Sequence, residues 1–150
     1  MKKNLNILSY VLIASVLVFS ACKKTTISAE QEQINALTAT WNLTEATPQG
    51  FDAVALTGVS ITFTGEKTYS ITGLAAIDEN NLNNDDSFAA SGSFTLSGDN
   101  FDLLSLSPGG SFTIGSLNKE TGAISVTFTA KYPKSTSSDV SITVNGTLAN

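Results

Sequence analysis

From residue 38 onward, apolar and polar positions alternate with period two, the signature of strands that bury one face. Ala39, Trp41 and Leu43 alternate with Thr40, Asn42 and Thr44. Val59, Ile61 and Phe63 alternate with Ser60, Thr62 and Thr64. After a turn at 64–67 the pattern resumes with Tyr69 and Ile71. Gly92, Phe94 and Leu96 follow, and a Gly-Asp-Asn turn at 98–100 then leads the chain into the segment 101–106. Phe112 and Ile114 come after a Pro-Gly-Gly break. Ile124, Val126 and Phe128 alternate with Ser125, Thr127 and Thr129, and Val140, Ile142 and Val144 do the same near the end. This rhythm predicts about eight short strands with turn chemistry every ~8–12 residues.

The expected fold is therefore all-β: an antiparallel up-and-down barrel, with a β-sandwich as the alternative, since both produce the same period. One face of nearly every strand is Ser or Thr, so each strand has one buried and one solvated face. Three breaks read as loops, at 47–58, 78–86 and 133–139.

The segment before the strands has a different logic. Lys2 and Lys3 precede an apolar stretch that ends in Val18-Phe19-Ser20-Ala21-Cys22. Charge, a short apolar core and then small residues form the order of a secretory signal. Ser20-Ala21 directly before the only Cys resembles the bacterial lipobox, with Phe19 where Leu is usual. The resemblance implies that residues 1–21 are removed and that Cys22 becomes a lipidated, N-acylated terminus. Several acyl chains anchor a protein durably to a membrane.

Residues 22–36 then form the anchor and a tether, and 37–150 the β domain. Within the tether, Ser28-Ala29-Glu30-Gln31 matches a capping box, and Ile34 and Leu37 lie three apart. A short helix docking one face and a plain linker are both compatible with this. Either is expected to lie outside the core. The Lys23-Lys24 start resembles a surface-export signal, but acids are absent until Glu30. The periplasmic face of the outer membrane is favoured over the cell surface.

Composition narrows the chemistry. The chain of 150 residues has 8 Lys, no Arg, no His and 13 acids. Cleavage after residue 21 leaves 6 Lys against the same 13 acids, near −7. Without His and with Cys22 consumed, the usual zinc and iron ligand sets are missing, and no cofactor is expected. An acidic chain without Arg is a poor nucleic-acid binder. A Ser–His triad is impossible, and Asp99 and Asp102 lie at a turn, where Asp serves the turn itself. The reading is a non-enzyme. The loop 78–86 is rich in Asp and Asn, yet Leu82 and Asn83 break the twelve-residue calcium pattern, and a solvated acidic loop is the better reading.

The lipidated start, the strand around Trp41, the Phe63–Gly65–Tyr69 hairpin and the Gly92-Ser93-Phe94 strand together resemble the small lipocalin-like lipoproteins of Bacteroidota. Ala39 stands where Gly is usual, and Phe94 where Trp is usual. The resemblance implies a non-catalytic barrel that binds a small apolar or amphipathic ligand. Trp41, Phe51, Phe63, Tyr69, Phe94 and Phe128 are the candidate ligand-facing residues. For Trp41 a core position with a locally bonded indole N–H is the first reading. The other rings also serve an ordinary core. The alternative function is a filled sandwich that contacts an envelope protein or polysaccharide through its loops or an edge.

Overall fold

The structure is a computed structural model, and it describes residues 27–82, 88–133 and 138–150. The expected signal peptide, Cys22 and residues 83–86 of the expected acidic loop 78–86 lie outside the described residues.

Helix α1 (Ala29–Leu37) forms where the capping box stands. Ser28 is its N-cap, and its hydroxyl accepts from the Gln31 N–H at 3.2 Å. Glu30 and Glu32 lie in the first turn, where negative charge suits the helix dipole. Thr38 ends the helix by turning both its N–H and its Oγ1 onto the Ile34 carbonyl, at 2.9 and 2.8 Å. Ile34 and Leu37 are wholly buried. In this α1 differs from the expected tether, because its docked face belongs to the core.

Eight antiparallel strands follow: β1 (Ala39–Pro48), β2 (Val54–Phe63), β3 (Thr68–Thr72), β4 (Ser91–Ser97), β5 (Leu103–Ser107), β6 (Ser111–Asn118), β7 (Ala123–Lys131) and β8 (Asp139–Leu148). Each pairs with its sequence neighbours, and β1 pairs with β8, closing an up-and-down barrel. The closing seam runs from Trp41↔Leu148 to Pro48↔Ile142. That seam excludes the sandwich, because a sandwich leaves its sheets open.

The inward residues are the predicted alternators: Trp41 and Leu43, Ile61 and Phe63, Tyr69 and Ile71, Phe94 and Leu96, Phe112 and Ile114, Ile142 and Val144. Bulges extend three strands beyond the expected bounds. At Thr44 the register slips against both neighbours, between Leu43 and Glu45. Beyond it the buried positions change parity, from Trp41 and Leu43 to Ala46 and Pro48. In β2 the buried set passes from Leu56 to Val59 across Gly58. In β6 the slip falls between Ile114 and Ser116. The stretch 47–58, expected as loop, is thus largely strand.

The wall is uneven. β7 and β8 pair over nine residues, whereas β3 and β4 pair over three, Thr68↔Ser93 to Ser70↔Ser91. Above the short β3 the chain turns into helix α2 (Leu74–Glu79), which the sequence pattern did not predict. Gly73 makes this turn in the left-handed region, at φ 79°. A Cβ there would stand 2.3 Å from the Gly58 carbonyl oxygen, so only Gly lets the two backbones meet.

In an up-and-down barrel, alternate connections fall at opposite ends. The 64–67, 98–102 and 119–122 turns therefore share an end with α1, which Lys67 and Lys119 of those turns contact. The β1–β2 loop, α2, the 108–110 turn and the β7–β8 connection share the other.

Candidate functional site

The barrel interior contains a cavity of about 30 Å³. Its walls are Leu43 of β1, Ile61 and Phe63 of β2, Leu104 and Leu106 of β5, Phe112 of β6, Ile124 and Val126 of β7, and Val144 of β8. Phe88, from the connection between α2 and β4, completes it. Strands β3 and β4 contribute none of the lining, so the space lies off the barrel axis.

The reason is steric. On the β3–β4 side, Tyr69 and Phe94 fill the interior with two large rings. Tyr69 stands opposite Gly92 in the ladder. The place of a Gly92 Cβ is occupied by the Ser107 carbonyl oxygen, 2.3 Å away. The Tyr69 hydroxyl donates to the Pro108 carbonyl, fixing the ring. Burial pushes the Tyr69 phenol above its ordinary pKa of 10.0. Phe94 meets Phe63 edge to face, with centroids 5.3 Å apart.

Phe88 is the one lining side chain that no strand supplies. It packs against Phe112 at 5.1 Å and Phe128 at 5.2 Å, and those two rings are themselves 5.2 Å apart. This aromatic trio roofs the cavity beneath the α2 end, where Ile77 and Leu82 are also buried.

The six candidate residues therefore take different positions. Phe63 lines the cavity. Phe94 and Phe128 stand directly behind lining rings. Tyr69 fills the opposite side. Trp41 is fully buried at the α1 end, and its indole Nε1 donates to the Leu37 carbonyl at 2.9 Å, joining helix to barrel. Phe51 lies outside, 45% exposed in the β1–β2 loop, and meets Tyr132 edge to face at 5.1 Å. Leu43, Ile61, Ile124, Val126 and Val144 were visible as alternators and Leu104 and Leu106 only as part of the segment 101–106, but nothing in the pattern says which inward positions border a void. Phe88 lacked even that signal, because it follows the polar run 83–87.

None of the ten lining residues carries a titratable group. A water in this space finds no polar side chain, whereas an apolar group gains dispersion contacts on all sides. Ligand pockets for drug-sized molecules are ~300–1,000 Å³, so this cavity suits a small apolar group or the end of a chain. Among the described residues, no group of three His, Cys, Asp or Glu side chains is placed to hold a metal. Compared with protein-family models, curated proteins and solved structures, the chain finds a match in none of the three.

Proposed function

We propose that this chain is a cell-envelope lipoprotein, anchored through Cys22, whose lipocalin-like barrel takes a small apolar group into its interior. The anchor rests on the lipobox-like Ser20-Ala21-Cys22 behind a charged and apolar leader. The outer membrane, on its periplasmic face, is the compartment this reading favours. The binding role rests on one observation: a closed barrel with a cavity lined by hydrocarbon side chains alone. The partner class is a hydrophobic or amphipathic molecule whose apolar end enters while any polar part stays outside.

Native mass spectrometry on the mature chain, exposed to a lipid and metabolite extract of its own envelope, tests this. The wild type is expected to retain an adduct of defined mass. Val144→Ile adds one methylene to the wall and is expected to weaken the adduct. A clean mass for the wild type across extracts contradicts the binding role. The same spectra read the acyl chains on Cys22.

A second reading is supported by the small cavity together with the exposed Phe51 on Tyr132. In it the barrel is filled, and the end carrying this aromatic pair contacts an envelope protein or polysaccharide. Loss of crosslinked partner in Phe51→Ala, with a clean native mass, would favour it.

A further inference from the structure

We infer that the α1 end of the barrel is its membrane-facing end, and that the end bearing α2 and the Phe51–Tyr132 pair faces away from the bilayer. This rests on the Cys22 anchor proposed above; the orientation itself comes from the fold.

The apolar face of α1, Ile34 and Leu37, is buried to 1% and 0% exposure. The Trp41 indole donates to its last carbonyl, that of Leu37. The Lys119 ammonium, from the β6–β7 turn, donates to the Asn35 and Thr38 carbonyls at 3.1 and 2.9 Å. Lys67, from the β2–β3 turn, pairs with Glu30 at 2.7 Å. Ser28 caps the first turn. A helix with a buried face and bonds along its length opens with the core rather than as a loose arm. The rigid body therefore starts at Ser28, on the rim marked by Lys67.

From Cys22 to Ser28 there are only six peptide steps, which reach at most ~20 Å when fully extended. Strand β1 has 10 residues. At ~3.3 Å per residue and a tilt of about 40° it rises ~25 Å along the barrel axis. The anchor is shorter than the barrel is tall, so the α2 end cannot be turned face-down onto the bilayer. The mature charge near −7 gives the barrel no attraction to an anionic surface that would lay it flat. Ile27, 48% exposed just before α1, is the first apolar residue after Cys22.

The test uses the full lipidated chain in vesicles of phosphatidylethanolamine and phosphatidylglycerol with a nitroxide headgroup quencher. Acylation consumes the Cys22 thiol, so an introduced cysteine is labelled alone. Glu120→Cys marks the α1 end and Gln49→Cys the other; both positions are exposed. The expected result is several-fold stronger quenching at position 120 than at 49. A flexible insertion of twelve residues between Thr26 and Ile27 should narrow that difference. Equal quenching in a chain whose mass shows lipidated Cys22, or stronger quenching at 49, overturns the orientation alone. An unmodified Cys22 with no vesicle association overturns the anchor reading and the orientation with it.

Discussion

Helix α1 and the connection through α2 each close one end of the same barrel, yet directional bonds add far more to the apolar packing at α1 than among the described contacts of α2. At the α1 end directional contacts reinforce the buried Ile34 and Leu37: an indole to a carbonyl, an ammonium shared between two carbonyls, a hydroxyl cap. At the α2 end the described contacts into the barrel are mostly apolar: Ile77, Leu82 and Phe88 are buried, and Phe88 sits on two other rings. The α2 helix has only six residues and no side-chain cap. Directional bonds fix one arrangement, whereas apolar contacts tolerate repacking at modest cost. The end closed by apolar contacts is also the one next to the cavity. A binding role thus fits the α2 end, and a structural role fits the α1 end.

The largest expected effect is at Trp41. Trp41→Ala should cost about 3–5 kcal/mol, the range for deleting a buried ring. Amide hydrogen exchange should rise first across Ala29–Leu37, ahead of the strands. Trp41→Phe keeps the apolar volume in part but removes the bond to Leu37, worth about 1 kcal/mol on its own. If exchange in α1 does not change in Trp41→Ala, the directional account of this end is wrong.

Phe88→Ala should cost about 3 kcal/mol, at the low end for a buried ring. Its distinguishing outcome is gain of binding. The cavity should grow by a ring and accept benzene, raising the thermal midpoint of the variant more than that of the wild type. Benzene stabilising both equally would separate the cavity from Phe88.

Tyr69→Phe should cost about 1 kcal/mol near neutral pH, through the lost bond to Pro108. Its pH dependence is more informative. The folded phenol ionises above its unfolded value, so it stays protonated where the unfolded chain has already lost the proton. The contribution is complete below about pH 10 and is lost as pH rises through the folded pKa. Chemical denaturation across that range should show a shallower alkaline decline for Tyr69→Phe than for wild type.

Much of the barrel was legible because an inward position repeats every second residue. Seven of the eight strands have cores at the alternating positions Trp41, Phe63, Tyr69, Phe94, Phe112, Phe128 and Ile142. Closure was not legible, since it depends on β1 meeting β8 and period two carries no information about strand partners. The bulges hid strand length: at Thr44 and Gly58 the inward parity changes, so 47–58 reads as a loop. Helix α2, with Leu74 and Ile77 as its apolar pair, is too short for a 3.6 period to stand out. For the site, Phe63 was legible as an inward ring. Its status as lining was not, because a void appears only where neighbours fail to fill space. Tyr69 and Phe94 fill their side, and the aliphatic residues of β1, β5, β7 and β8 leave theirs open.

The most direct test of the account is methyl NMR of the mature chain under xenon or with added benzene. The account predicts shift changes at the methyls of Leu43, Leu104, Leu106 and Val144, with Leu56 and Leu96 unmoved. No change at the lining methyls, together with changes around Phe51 and Tyr132 on adding envelope extract, would contradict it and favour the filled-barrel reading.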